Sequence, residues 1–219
     1  MGTRSGSPLG DMSGKIGTIN LTTWKSISVV KSLPRKTKKV SFDQKCQRHL
    51  FKTVHAFLYK ASRTIKLGYQ LPPKSAQSDM NMATSYTMLN AVLGEYPDYS
   101  IDLSKLKFSN SIRSIETGWN TEFTGGKDAF TKVSWEINPF PDKATRWDDK
   151  AVIVVYDQIH DTFFTKEDIA RKELAYFFTE NDGKLFAGHE IFCWMFFISV
   201  DSKFVSDTEY LGMIKMPEV

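Results

Sequence analysis

The sequence predicts an α+β protein in which a β-hairpin and two helices precede an antiparallel β-sandwich. Apolar residues recur at helical spacing between about residues 43 and 93. From Trp119 onward, short strand-like runs alternate with turn signals rich in Gly, Asn, Asp and Pro. Aromatic residues make up 13% of the 219 residues, and they favour strands.

The N-terminal region divides into a tail and a hairpin. Residues 1–14 are rich in Gly and Ser, which predicts a flexible tail, and they lack the apolar run of a signal peptide. Residues 15–33 predict a β-hairpin with a turn at 22–25, and Pro34 ends its second strand. A basic connector then leads to the helices.

Two helices and one strand are predicted in the rest of the first half. The first helix begins at Ser41 or Asp43 and runs to about Leu67, where Gly68 ends it. The second runs from Ser78 or Asp79 to Leu93. A strand over 99–108 follows. These elements form a region at 15–112, and the sandwich domain occupies 113–219.

Seven short strands are predicted in the sandwich domain. They span residues 120–124, 131–138, 150–156, 162–165, 172–178, 190–200 and 209–216. This number and spacing are typical of a fibronectin type III or immunoglobulin-like sandwich.

Two strands carry the expected core. Trp135 shares one strand face with Val133 and Ile137, which predicts a central core position. Residues 191–200 are apolar on both faces, so both faces should be covered. One face should line the sandwich core. The other face, with Phe192, Trp194 and Phe196, should meet the N-terminal helices or another subunit.

Charge is distributed unevenly along the chain. Residues 1–70 contain 14 Lys and Arg but two Asp and Glu, a net charge of +12, whereas residues 71–219 have a net charge of −8. The predicted first helix places its basic residues around one tyrosine within an arc of about 60°. With the connector, this basic stripe consists of Arg35, Lys36, Lys38, Lys39, Lys45, Arg48, Lys52, Tyr59, Arg63 and Lys66.

The basic stripe has two interpretations. It is either a solvated helix face, as most charge runs are, or a binding surface for an acidic partner. The partner would be nucleic acid or the acidic surface of a protein.

No motif indicates catalysis, a metal or a cofactor. Cys46 and Cys193 are too few for a disulfide framework or a four-ligand zinc site. His49 and His55 lie about 120° apart around a helix, so they cannot share a metal unaided. No nucleophile elbow, zincin motif or phosphate-binding loop occurs. We therefore expect a protein that is not an enzyme.

The chain resembles an uncharacterised family of Bacteroidota proteins. The resemblance covers nearly the whole chain, although Asp201-Ser202-Lys203 replaces the Asp-Gly-Lys of the family's last hairpin. It rests on Ser13-Gly14-Lys15-Ile16-Gly17, Trp24-Lys25, residues 30–34, Tyr96-Pro97-Asp98-Tyr99, Val133-Ser134-Trp135 and residues 205–212. It implies an architecture but no activity and no site residues.

These observations favour a non-catalytic structural or adaptor subunit of a larger assembly. A small chain with a basic arm and a β-sandwich would suit a component of a phage or prophage particle, and we expect this role by analogy. Its partners would be other protein subunits. We expect no membrane span in this chain. The protein would reside in the cytoplasm at synthesis and then in the virion. The alternative is a nucleic-acid-binding protein that uses the basic arm.

Overall fold

The described residues of this computed structural model are 2–4, 13–25, 27–33, 39–72, 75–126, 129–179 and 185–216. They form three α-helices and thirteen strands, with the hairpin and helices preceding the main sheets. The predicted α+β class is confirmed.

A small antiparallel sheet precedes the helices. It contains β1 (Gly2–Arg4), β2 (Gly14–Ile16), β3 (Ile19–Trp24) and β4 (Ile27–Ser32), in the order β1-β4-β3-β2. The predicted hairpin is present, but Lys25, with a φ of 47°, lies in its turn, so the first strand continues to Trp24. Residues 2–4 pair with β4 even though their composition indicates a flexible tail, because backbone pairing does not depend on side-chain apolarity.

The single helix predicted over 43–67 is two helices, α1 (Phe42–Tyr59) and α2 (Ser62–Gly68). Ser41 caps α1 through a reciprocal pair of hydrogen bonds with Gln44. The amides of Lys60 and Ala61 donate to carbonyls three residues earlier, which tightens the chain and interrupts the helix. Apolar spacing continues across the interruption, so periodicity alone does not reveal it.

The third helix, α3 (Asp79–Asn90), is shorter than predicted. Ser78 caps it, as expected, by accepting from the amide of Asn81. Residues beyond Asn90 instead form β5 (Val92–Leu93), which pairs with β6 (Ser100–Ile101). Among the described residues, no helix is both long and apolar enough to cross a membrane.

The strand predicted over 99–108 is also wrong beyond its first residues. Only β6 is a strand, and a 3₁₀ turn at Leu103–Lys105 follows it. Asp102 begins that turn, because its carboxylate accepts from the amide of Ser104. The turn directs the chain so that Leu106 and Phe108 are both buried under α1 and α3.

All seven predicted sandwich strands are present, in two antiparallel sheets. They are β7 (Trp119–Gly126), β8 (Ala129–Glu136), β9 (Lys150–Asp157), β10 (Thr162–Ala170), β11 (Ala175–Phe177), β12 (Glu190–Ile198) and β13 (Glu209–Lys215). The larger sheet has the order β10-β9-β12-β13, and the smaller has the order β11-β8-β7. β10 is longer than predicted because a bulge between Lys166 and Ile169 extends it. β11 is shorter because Arg171–Glu173 forms a 3₁₀ turn.

β12 separates two hydrophobic clusters. Ile191, Cys193, Met195 and Phe197 pack between the two sheets, in the cluster that contains Trp135. Trp194, Phe196 and Ile198, with the partly buried Phe192, pack against the helices, in the cluster that contains Val54, Leu58 and Ile65. Packing therefore crosses the boundary expected near residue 112. The independent folding of residues 113–219 stays a prediction.

Candidate partner-binding surface

The two helices α1 and α2 direct the basic stripe outward. Their opposite face is buried in the shared cluster through Val54, Leu58, Ala61 and Ile65. Lys45, Arg48, Lys52, Tyr59, Arg63 and Lys66 are all exposed, and so is Lys39 ahead of α1. Arg35, Lys36 and Lys38 lie outside the described residues.

Few of these cations have an acidic neighbour in the chain itself. Arg63 pairs with Glu167 of β10 at 3.0 Å, so it also joins α2 to the sandwich. Lys45, Arg48, Lys52 and Lys66 form no ion pair with the parts of the chain that the structure describes. Like charges at such spacing repel one another, and an acidic partner would relieve that repulsion.

An aromatic ladder runs beside the basic stripe on α1. His55 stacks against Phe51 with 5.4 Å between ring centroids, and against Tyr59 with 6.2 Å. Phe51 and Tyr59 are exposed. Of these three residues, only Tyr59 belongs to the basic stripe predicted from the sequence. The four-residue spacing of these three rings is the signal that would have added Phe51 and His55.

The N-terminal sheet has no buried face. Every residue of β2, β3 and β4 that the structure describes is exposed or only partly buried. The strand register places Ile16, Ile19, Leu21 and Val30 on one side of this sheet. At the end of the hairpin, the indole of Trp24 donates to the carbonyl of Ala76 at 2.8 Å, which ties the sheet to the segment before α3.

The larger clefts of the described structure contain no histidine or cysteine. One, of about 520 Å³, lies between the 143–149 loop and the turn at 199–204, and another, of about 490 Å³, lies beside α2. Asp149 lines the first cleft, and burial raises the pKa of its carboxyl despite a hydrogen bond from the amide of Arg146. The buried guanidinium of Arg171 supplies the opposite charge beside this carboxylate. These groups join loops of the sandwich to each other.

His160 and His189, distant in sequence, meet at a single carboxylate. Nδ1 of His160 lies 2.6 Å from Oδ2 of Asp157, and Nδ1 of His189 lies 3.0 Å from the same atom. Pairing of β9 with β12 causes this meeting, because Asp157 is opposite Ile191. No local motif in the sequence reveals it. His49 does not belong to this group, because its ring hydrogen-bonds to the carbonyl of Pro97.

Comparison with known families gives one match. The model of a family of unknown function (DUF6266) matches residues 11–212. The chain belongs to the DUF6266 family. This confirms the resemblance to a family without assigned activity. No curated protein and no solved structure matches this chain.

The DUF6266 match extends from before β2 into β13, so it includes three strands of the small sheet, the helices and most of the sandwich together. The basic stripe and the aromatic ladder also lie within it. The family model therefore spans the N-terminal strands, the helices and the sandwich, rather than the sandwich alone.

Proposed function

We propose that this chain is a non-catalytic structural or adaptor subunit that binds another protein subunit through the N-terminal sheet and the exposed face of α1. The observation that carries the proposal is the sheet of β2, β3 and β4, in which no described residue is buried. A small sheet without a covered face is marginally stable in water. Its apolar residues therefore favour a partner that covers them.

Charge indicates the chemistry of the partner. The exposed face of α1 carries Lys45, Arg48 and Lys52, which form no ion pair with the described residues, so this face favours an acidic protein surface. Residues 71–219 of the chain itself have a net charge of −8. A second copy of the chain therefore offers the required complement, and a phage or prophage particle is a setting in which such copies would assemble.

We further propose that the sandwich resembles a fibronectin type III domain. Its smaller sheet contains the first, second and fifth strands of the sandwich, and its larger sheet contains the other four. Two antiparallel sheets with seven strands fit the sandwich architecture that fibronectin type III domains share. The fold alone does not determine function, and it adds support only together with the exposed surface.

Nucleic-acid binding is the second candidate. The aromatic ladder of Phe51, His55 and Tyr59 beside the basic stripe favours it, because exposed rings among cations stack with bases of single strands. This candidate requires the α1 face to remain free of other subunits.

Mass photometry of the purified full chain, with and without single- and double-stranded DNA, tests both candidates. We expect a defined oligomer without DNA. Replacing Ile19 and Val30 with Ser should shift it toward the monomer mass, whereas the matched control Ile159→Ser should not. A chain that is monomeric without DNA but binds added DNA supports the second candidate. A chain that stays monomeric and binds no DNA at any salt concentration contradicts both candidates.

The basic stripe is tested with a triple variant of its unpaired cations. Arg48→Gln, Lys52→Gln and Lys66→Gln together should keep the circular dichroism spectrum and weaken the oligomer. For DNA binding, each lost phosphate contact should flatten the log–log salt dependence by roughly 0.7–0.9. A matched control replaces Lys143, Lys172 and Lys215, which are exposed on the sandwich, with Gln. Identical assembly and DNA binding of both variants would leave the stripe as a solvated face.

A further inference from the structure

Three side chains from separate elements converge at one end of the sandwich. Asp157 is the last residue of β9, His160 lies in the turn to β10, and His189 immediately precedes β12. Their candidate ligand atoms all lie within 4.8 Å of one another, and the two imidazole centroids are 4.9 Å apart. This group is independent of the surface proposed above for partner binding.

The surrounding backbone fixes two of the three side chains. Oδ1 of Asp157 accepts from the amide of Ile159 at 3.0 Å, which leaves Oδ2 directed at the histidines. His189 is held through its own backbone, because its amide donates to Phe186 and its carbonyl accepts from Met216. Asp157 is fully buried, the His189 side chain is 17% exposed and the His160 side chain is 54% exposed. The group is therefore anchored inside and open on the side of His160.

The carboxylate of Asp157 is available as an anionic ligand. Its Oδ1 accepts from the amide of Ile159, whereas its Oδ2 lies 2.6 and 3.0 Å from the imidazole nitrogens of His160 and His189. Neutral imidazole and carboxylate are ligands that zinc and related divalent ions share. We propose that Asp157, His160 and His189 form a binding site for a divalent transition metal of the zinc class.

The three ligand atoms lie within 4.8 Å of one another, so side-chain movements of about 1.5 Å or less would place them around one ion. Bonds of about 2.0–2.1 Å in tetrahedral geometry place neighbouring ligand atoms roughly 3.3 Å apart. The observed separations of 2.6 and 3.0 Å from Oδ2 to the two Nδ1 atoms are slightly shorter. His160 lies on an exposed turn, so this side chain can move outward. Three protein ligands leave one position for water on the solvent side.

Bound metal would join the β9–β10 turn to the start of β12. The two segments flank β9 and β12, which are adjacent strands of the larger sheet. The side chain of His160 links the turn to Asp157 at the end of β9. An ion that binds only the folded chain stabilises it by RT ln(1 + c/Kd), where c is the free metal concentration, so the unfolding temperature should keep rising with c. Removal of one ligand should weaken metal affinity by more than about 100-fold, beyond the effect of losing an outer hydrogen bond.

The test uses the full chain without a polyhistidine tag, stripped with a chelator and titrated with Zn²⁺ alone by calorimetry. We expect one site per chain, an increase in unfolding temperature with Zn²⁺, and visible absorption bands of low-symmetry Co²⁺ after cobalt substitution. His160→Gln should abolish all three signals, and because His160 is exposed this variant should fold. His189→Gln should do the same. His55→Gln, a histidine of α1 outside the group, is the matched control and should bind like the parent.

Two results would overturn the proposal. One is a parent chain that binds neither Zn²⁺ nor Co²⁺, in which case protons alone bridge the three side chains. The other is unchanged binding by His160→Gln and His189→Gln, which would place any metal elsewhere. Oligomer mass, measured on the same samples, separates this test from that of the proposed function, since His160→Gln leaves the N-terminal sheet and the basic stripe intact.

Discussion

The guanidinium of Arg171 lies over the ring of Phe197 inside the sandwich, with its central carbon 3.7 Å from the ring centroid. Its terminal nitrogens donate to the carbonyls of Thr117 and Glu116 at 3.1 and 2.7 Å, and Nε lies 3.9 Å from Asp149. One buried cation therefore joins the segments that precede β7, β9 and β11. Burial lowers the pKa of Arg171, against the opposing effect of Asp149.

Replacing Arg171 with Leu should strongly destabilise the fold. The substitution leaves the Asp149 carboxylate buried without its counterion and two carbonyls without donors, so we expect a loss of about 3–5 kcal/mol in the free energy of unfolding. Urea denaturation measures it. Lys143→Ala, in an exposed loop nearby, should change the free energy by less than about 0.5 kcal/mol. A loss for Arg171→Leu no larger than that of the control would show that the pair contributes nothing.

Asp161 should make stability depend on pH in the acid range. A hydrogen bond from Lys60, followed by one from Tyr156, lowers the pKa of this carboxyl in the folded chain despite partial burial. Its contribution is present above the unfolded pKa, about 3.9, and is lost as the pH falls through the lower folded value. Asp161→Asn should therefore flatten the decline in unfolding temperature below about pH 4.

Lys60→Met tests the assigned cause of that effect. Because Lys60 is the largest contributor, its removal should flatten the same acid window while leaving Asp161 in place. Unfolding temperatures measured across the acid range compare the parent with both variants. A decline that stays as steep in both variants as in the parent would assign it to other carboxylates.

Trp135→Ala should cost roughly 3–5 kcal/mol, the usual result for a large aromatic in a packed core. Trp135 is 2% exposed, its ring packs edge-on against Phe197, and its indole donates to the carbonyl of Arg171 at 2.8 Å. Trp147, which is 64% exposed, provides a control of the same residue type. Chemical denaturation should show a much smaller change for Trp147→Ala. Equal losses would contradict the core role of Trp135.

A fragment of residues 113–219 should fold as a β-protein with cooperative unfolding. The cluster between its two sheets, from Ile115 to Met216, lies entirely within the fragment. The other face of the larger sheet loses its helices, which exposes Val154 and Trp194 and lowers solubility. Circular dichroism and thermal unfolding test the prediction, and a disordered fragment would reject separability.

A double variant distinguishes the fragment from the full chain. Val152 and Phe196 lie opposite one another on the uncovered face, so Val152→Lys with Phe196→Glu places opposite charges side by side. In the fragment this pair should improve solubility. In the full chain it should strongly destabilise, because both positions are buried under the helices. The opposite pattern would mean that the helices do not cover this face.

The sequence predicted those features that local pattern determines. Each sandwich strand is bounded by turn residues, and β12 is apolar on both faces, so strands and core could be inferred. The interruption at Lys60 could not, because the buried positions Leu58, Ala61 and Ile65 keep helical spacing across it. The meeting of His160 with His189 could not either, because it depends on pairing between β9 and β12, which are not consecutive strands.

The central position of β12 also determines when the chain can fold during synthesis. Residues of this strand complete both clusters, yet they are synthesised after the three helices and after every other strand except β13. Until then, the apolar side of α1 and the inner face of the smaller sheet have no permanent cover. The nascent chain therefore exposes both surfaces to chaperones until β12 has emerged, and truncated products that end before β12 should be strong substrates for proteolysis.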